Sequence, residues 1–261
     1  MEDEQKGASV RLEIEGAVAI VWLDRAAQLN ALDLAMRRAL SDAFIELNED
    51  PAVRAIIVTG GAKVFAAGAD IRLLADKGPA SVRALGFADL WRPIAESPKP
   101  VIAAVCGYAL GAGCELALMC DIIVADATAQ FGQPECKVGV MPGAGGSQRL
   151  IRALGKPAAS LMLMTGSMLS AERAYALGLV SELAAAGDCL ETARRIAARI
   201  ASMPPLAIAA IKQTLANGAD LPLPAALAME NREFLLLFDT QDQKEGMAAF
   251  LAKRKPEFKG V

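Results

Sequence analysis

Apolar and polar positions first alternate along the chain and then merge into short apolar runs. Residues 9–24 alternate at their start and become continuously apolar at their end, with Glu15-Gly16 between the two parts. This pattern predicts a β-hairpin, because a strand with one buried face has a period of two. Buried strands are predicted at three further apolar runs, which are 55–60, 101–105 and 121–125.

Helical spacing of apolar residues appears between these runs and dominates beyond residue 144. Asn30 is predicted to cap a helix that ends at Leu47. Residues 75–98, rich in Ala, Gly and Pro, predict a loop that contains a helix, and residues 107–113 a turn entering one. A last short strand is predicted at 180–183. Further helices are predicted at 145–154, 157–164, 171–177, 189–202, 204–216, 224–238 and 241–253.

The order strand, turn, helix, strand predicts an α/β protein whose strands are covered on both faces. A boundary near residue 200 divides the chain into an α/β core, residues 1–200, and an all-helical region, residues 201–261. The helical region holds more apolar side chains than a thin appendage can bury, and we expect them to pack on the core or on another subunit. These side chains are Leu227, Phe234, Leu237, Phe238, Met247 and Phe250.

Composition narrows the class of protein. The 261 residues are 54% hydrophobic and 22% charged, which is typical of a folded globular protein. A net charge of -3 gives no electrostatic reason to expect a nucleic-acid partner. The start of the chain is acidic and the uncharged stretches are short, so neither a secretory signal nor a membrane span is predicted. We therefore expect a soluble, cytoplasmic protein.

The chain contains no histidine, which excludes Ser-His-Asp and Cys-His mechanisms and His-ligated metal sites. We expect no metal, and an enzyme of this composition is expected to use carboxylates as acid and base. The five cysteines form no CxxC pair and are predicted to be buried free thiols in a reducing compartment.

Two glutamates occupy unusual surroundings. Glu115 is the only charged residue within positions 100–120, and Glu135 follows twenty residues later beside another glycine-containing segment. An unpaired buried carboxylate is costly, so each must be paired, neutralised or used in chemistry. The simpler alternatives are an ion pair of Glu115 with Arg149 or Arg152, and a solvated turn position for Glu135.

Four segments carry a more specific signal: 65–71 (FAAGADI), 107–117 (GYALGAGCELA), 131–135 (FGQPE) and 142–150 (PGAGGSQRL). In order and spacing they resemble the signatures of the crotonase (enoyl-CoA hydratase/isomerase) superfamily, and the chain is most similar to its hydratases. The resemblance extends from about residue 10 to Lys253-Arg254-Lys255. It implies a spiral of ββα units followed by a C-terminal all-helical trimerisation region, assembled as a homotrimer or a dimer of trimers.

The resemblance also implies the chemistry. Backbone N–H groups of Ala69 and Ala112 would form an oxyanion hole for the thioester of an acyl-CoA. Glu115 would orient a water molecule as base and Glu135 would protonate C2, while Gly143 would shape the water pocket. Two carboxylates in a dry site are expected to titrate as a coupled pair.

Contacts to coenzyme A are implied for two groups of residues. The first follows the oxyanion segment and comprises Ala67, Asp70 and Ile71; the second comprises Phe234 and Lys253, although Lys253 could also be a solvated helix end. Coenzyme A is part of the substrate, so no separate cofactor is expected. The chain departs from the family at positions 25–30 (RAAQLN), which lack a lysine that often binds the CoA phosphate.

The predicted function is therefore an enoyl-CoA hydratase. Other crotonase-type reactions stay open: double-bond isomerisation, thioester hydrolysis, and hydration of a branched or carboxylated enoyl-CoA. A non-catalytic acyl-CoA-binding protein or an RNA-binding scaffold is the alternative of a different class. The presence of both glutamates argues against an inactive protein, and the acidic balance argues against RNA.

Overall fold

A computed structural model describes residues 9–261; the acidic start, on which the prediction about a secretory signal falls, lies outside the described residues. The strands in this range are β1 (Val10–Glu15), β2 (Val18–Leu23), β3 (Ala55–Thr59), β4 (Val64–Ala66), β5 (Val101–Val105), β6 (Tyr108–Leu110), β7 (Ile122–Ala125), β8 (Gln130–Gly132), β9 (Met168–Ser170) and β10 (Glu182–Leu183). The helices are α1 (Leu34–Glu49), α2 (Pro79–Arg83), α3 (Phe87–Ala95), α4 (Ala112–Met119), α5 (Gly146–Thr165), α6 (Ala171–Ala176), α7 (Cys189–Ala201), α8 (Pro205–Gly218), α9 (Leu223–Leu237) and α10 (Gln241–Leu251).

A six-stranded sheet in the order β1-β2-β3-β5-β7-β10 forms the centre of the core. Its strands are parallel except for the β1–β2 hairpin, which confirms the hairpin prediction. Successive residues of a strand face opposite sides, so Ile56 of β3 joins the core on the side of α1 and α4, and Ile57 joins the core on the side of α7. Both faces are covered, as the continuous apolar runs predict.

A second sheet, in the order β4-β6-β8-β9, was not predicted. Each of its strands has three residues, too few to show a hydrophobic period, and β6 lies inside the segment predicted as a turn, residues 107–113. A long strand followed by a short one recurs in the pairs β3–β4, β5–β6 and β7–β8. This alternation is the ββα spiral expected from the resemblance.

The predicted start of the first helix is wrong. The helix begins at Leu34, with Asp33 as the N-cap that accepts a hydrogen bond from Met36 N at 2.8 Å. Asn30 is fully buried before the helix, with a φ of 53°. Its amide instead donates to the carbonyls of Gly60, Val64 and Phe65. Because the cap lies three residues later than predicted, the side chain of Asn30 is available to link the loop before α1 to β4.

The helices after residue 144 match the predicted ones closely. The two predicted at 145–154 and 157–164 are the two arms of α5, which is kinked at Gly155 (φ 73°, ψ 164°). No residue of α8 or α9 is buried, and these two helices pack mainly on each other. No helix within residues 9–261 is long and apolar enough to cross a membrane.

The C-terminal residues are hydrogen-bonded to the α/β core. Arg54, just before β3, donates to the carbonyl of Phe258 at 2.9 Å. The buried carboxylate of Asp242 accepts hydrogen bonds from the N–H groups of Lys259 and Gly260 at 2.7 and 2.8 Å. The helical region is therefore held to the α/β core through its last residues, and the division of the chain near residue 200 stays a prediction.

Candidate active site

Two loops meet where the small sheet ends. The segment after β4 carries Gly68-Ala69, and the segment after β6 carries Gly111-Ala112; because β4 and β6 are parallel neighbours, both segments leave the same edge. They are in backbone contact, since a Cβ built on Gly68 would lie 3.0 Å from the carbonyl oxygen of Leu110. The two loops predicted to form an oxyanion hole are therefore adjacent.

The start of α4 depends on two glycines. Gly111 has φ 51° and ψ −124°, a backbone conformation that side chains rarely allow. A Cβ on Gly113 would lie 2.2 Å from the carbonyl oxygen of Ala66, so the first turn of α4 is pressed directly against β4. Ala112 is the first residue of the helix and its N–H has no acceptor within the helix. A donor with the favourable helix dipole behind it is thus free for a ligand.

The Ala69 segment is fixed from its other side by the loop that contains Asn30. Ala67 N donates to Leu29 O at 3.0 Å, and Leu32 N donates to Gly68 O at 2.8 Å. Leu32 also forms an isolated parallel β-bridge with Ala69. The N–H of Ala69 is not used in the backbone hydrogen bonds of residues 9–261. This loop therefore holds Ala69 in place and leaves its N–H unused.

Glu115 lies in the first turn of α4 and is only 3% exposed. Its Oε1 accepts hydrogen bonds from Ala144 N at 2.7 Å and Gly146 N at 2.9 Å, at the start of α5. Within the described part of the chain, Oε2 has no hydrogen-bond partner. Backbone amides thus fix the carboxylate through one oxygen and leave the other available for water.

The alternative of an ion pair for Glu115 is wrong. Arg149 donates to the carbonyl of Ala144 at 2.8 Å, and Arg152 bonds with Asp220 at 3.0 Å on the surface. Arg149 is nevertheless a half-buried cation close enough for its charge to interact with that of Glu115. It supports the loop that holds the carboxylate, and does not neutralise the carboxylate by contact.

Glu135 follows β8 in a short 3-10 helix, residues Pro134–Val138, and is half-buried. Its Oε1 lies 2.9 Å from where a Cβ on Gly111 would be, so it stands beside the start of α4. The fully buried amide of Gln133 lies against this carboxylate; oriented by hydrogen-bond satisfaction, with its nitrogen toward Glu135, it would donate to both carboxylate oxygens at 3.0 and 3.1 Å. This is not the environment of a solvated turn residue.

Burial raises the pKa of Glu135, and the negative charge of Glu115 raises it further. The charge of Glu115 therefore acts on Glu135 across the site, and titration of the two as a coupled pair stays a prediction. Gln133 connects them: its amide bonds Glu135 and lies against Gly146, whose N–H binds Glu115. Sequence reasoning missed Gln133, although a polar residue inside the otherwise apolar start of 131–135 was a usable signal.

The remaining predicted residues divide into two groups. Ala67, Asp70 and Ile71 continue directly from β4 around Ala69, and the carboxylate of Asp70 caps the next turn and pairs with Arg72 at 2.8 Å. Gly143 is exposed and precedes Ala144, which binds Glu115. Their roles stay predictions.

Phe234 and Lys253 form the other group and lie in the C-terminal helical region. Phe234 is 54% exposed and packs edge-on against Phe238 with ring centroids 5.0 Å apart. Lys253 is exposed just after α10. Within residues 9–261 no cluster of carboxylates or thiols could hold a metal ion.

Comparison with known proteins gives the same class. The sequence profile of the enoyl-CoA hydratase/isomerase family matches residues 13–261. A crystal structure of an enoyl-CoA hydratase subunit from Geobacillus kaustophilus superimposes with a TM-score of 0.94 at 44% identity, covering 97% of this chain and 98% of that one. The chain therefore belongs to the enoyl-CoA hydratase/isomerase family and has the crotonase fold.

Two relatives of known description are similar to this chain over nearly their whole length. A probable enoyl-CoA hydratase of Mycobacterium bovis is 45% identical over 96% of this chain and 97% of its own length. The 2,3-dehydroadipyl-CoA hydratase of Escherichia coli is 44% identical over 93% of this chain and 95% of its own. The similarity thus spans the whole α/β core and the C-terminal helices.

Proposed function

We propose that this chain is an enoyl-CoA hydratase, which adds water across the double bond of a 2-trans-enoyl-CoA to give a 3-hydroxyacyl-CoA. The observation that carries the proposal is the pair of carboxylates, buried Glu115 and half-buried Glu135, held beside the glycine turn that starts α4. The names of the relatives support the same reaction.

The N–H groups of Ala69 and Ala112 bind the thioester oxygen and stabilise the enolate that forms when C3 is attacked. Glu115 takes a proton from water through its free oxygen, and the hydroxyl adds to C3. Glu135, whose pKa is raised, gives its proton to C2. Transfer of the proton from Glu115 to Glu135 restores the starting state.

The acyl-CoA carries its own coenzyme A, and the proposal includes no further cofactor and no metal. Ala67, Asp70 and Ile71 contact the CoA from the segment around the oxyanion hole. Phe234 and Lys253 contact it from the helical region 201–261, which assembles the chain into a homotrimer or a dimer of trimers. Gly143 lines the water pocket, and the protein acts in the cytoplasm.

Hydration of crotonyl-CoA, followed as the loss of its conjugated absorbance, tests the reaction. We expect turnover with 3-hydroxybutyryl-CoA as product, which separates hydration from isomerisation and thioester hydrolysis. Glu135→Gln should lower kcat by roughly 10²–10⁴-fold, the usual contribution of a general acid, while acyl-CoA still binds. No turnover with any chain length, or full activity of Glu135→Gln, would contradict the proposal.

A further inference from the structure

A buried guanidinium lies between α1 and α3. Arg37 is 3% exposed, and its guanidinium carbon is 4.4 Å from the ring centroid of Phe87 and 4.8 Å from that of Trp91. Burial lowers the pKa of Arg37 to about 10, so the side chain is still a cation at neutral pH. The two aromatic faces stabilise this cation but accept no conventional hydrogen bond from it.

Most donors of this cluster have no acceptor. Nε of Arg37 donates to Leu32 O at 3.0 Å, but neither terminal nitrogen of its guanidinium has a partner among residues 9–261. Nε1 of Trp91 is enclosed and is also without an acceptor there. The indole N–H is thus an enclosed donor without an acceptor, and the terminal nitrogens of Arg37 beside it are unpaired without being fully enclosed. Buried polar groups are nearly always hydrogen-bonded, so this group of donors indicates that an acceptor is missing.

The two nearby carboxylates, those of Glu115 and Asp33, make no hydrogen bond or ion pair with the guanidinium. The charges of Glu115 and Asp33 both act favourably on Arg37. Oε1 of Glu115 is held by the two backbone amides at the start of α5, and Asp33 caps α1 and pairs with Arg25 at 2.6 Å. The missing acceptor therefore comes from outside the described chain, and the positive charge favours an anion.

The cluster of Arg37, Phe87 and Trp91 is connected to the proposed thioester site through Leu32. Leu32, whose carbonyl accepts from Arg37, is paired by a β-bridge with Ala69. The guanidinium is thus one hydrogen bond and one bridged residue pair away from the proposed thioester site, and within reach of the charge of Glu115.

We propose that Arg37 and Trp91 bind a carboxylate at the far end of the acyl chain, so that the preferred substrate is the 2-enoyl-CoA thioester of a short dicarboxylic acid. This deepens, and rests on, the proposed hydratase function. A carboxylate can accept two parallel N–H bonds from the guanidinium and a third from the indole. A chain ending in a methyl group would leave these buried donors unpaired, which is the stronger basis for discrimination.

The first test compares kcat/KM for two six-carbon 2-enoyl-CoA substrates, one ending in a carboxylate and one in a methyl group. We expect the wild-type protein to prefer the carboxylate. Arg37→Met, which keeps the packing between the rings, should lower the carboxylate-to-methyl ratio by about 10- to 100-fold, the range for hydrogen bonds to charged groups. Arg38→Met is the matched control, because Arg38 is the next residue of α1 and is exposed.

Trp91→Phe keeps an aromatic face against Arg37 and removes the indole N–H together with the smaller ring that carries it, so it should lower the ratio by a smaller factor and decides the test if Arg37→Met does not fold. A second measurement needs no catalysis: calorimetric binding of the saturated six-carbon CoA thioesters, with and without the terminal carboxylate. A wild-type preference for the methyl chain, or ratios unchanged in the variants, overturns this inference. Preferential binding of the carboxylate thioester without hydration of either substrate would overturn the hydratase proposal and uphold this site.

Discussion

The α/β core and the C-terminal helical region use apolar residues in opposite ways. In α4 every residue but Leu118 is buried, and even its one carboxylate, Glu115, is enclosed. In α8 and α9 no residue is buried, although both helices are rich in Leu and Ala. The core around the glutamates is completed by the chain itself, whereas the helical region presents a surface that the single chain leaves uncovered.

This contrast separates two kinds of information in the sequence. The apolar residues of the core specify packing within one chain. Those of the helical region are exposed in the folded chain; they include Ile211, Leu215, Leu223, Leu227, Phe234, Leu235, Leu236, Phe250 and Leu251. Side chains of this kind in such number are typical of an interface, which is why we place the assembly of the proposed oligomer there.

Among the changes that test this contrast between the two regions, the largest effect should come from removing one N–H group in the core. Ala112→Pro deletes the donor at the first position of α4, where proline is compatible with a helix. If this N–H stabilises the enolate, kcat should fall by roughly 10²–10³-fold, equivalent to about 3–4 kcal/mol. Steady-state hydration kinetics measure the effect.

Ala112→Gly is the control, because it keeps the N–H and changes only the side chain. Circular dichroism and thermal unfolding check that the proline variant remains folded. A folded Ala112→Pro protein with wild-type kcat would exclude an oxyanion role for this residue. The close packing at the start of α4 would then have a structural role only.

The sequence predicted features with local signals better than features that depend on contacts between distant segments. The long strands and both glutamates were predictable, because β-branched runs and an isolated charge are local signals. The small sheet was not, because its strands have three residues and are defined by pairing with distant segments. Asn30 and Arg37 were missed for the same reason: their partners, Gly60 to Phe65 and the rings of α3, are far away in the sequence.

An intermediate effect is expected from placing a charge on the uncovered helical surface. Phe250 in α10 is 84% exposed, the most of any large apolar residue among the described ones. In an interface, Phe250→Glu would bury an unpaired carboxylate, so the oligomer should dissociate partly or fully. Light scattering coupled to size-exclusion chromatography gives the mass of each species.

Ile45→Glu makes the same kind of change at an exposed apolar residue of α1, 47% exposed and outside the helical region. We expect this control to keep the wild-type mass. A monomeric wild-type protein, or a Phe250→Glu variant of unchanged mass, would contradict an interface at this surface. The exposed apolar residues of the helical region would then be unexplained.

The smallest effect concerns the stability of the core as a function of pH. Burial, and then the charge of Glu115, raise the pKa of Glu135 above its ordinary value, so the folded state holds this proton more tightly than the unfolded state. Between the two pKa values the folded state binds more protons, and the free energy of unfolding therefore decreases as pH rises through the folded pKa. Glu135→Gln removes this loss. We expect the variant to have the higher Tm at neutral pH, with the difference shrinking as pH falls below the ordinary glutamate pKa.

Thermal unfolding from pH 4 to 8 measures this difference in Tm, with Glu46→Gln at an exposed position of α1 as the control for losing a surface carboxylate. A Tm difference that is constant with pH, or that has the opposite sign at neutral pH, would mean that the core accommodates both carboxylates without strain, and the coupled pair would lose its thermodynamic basis.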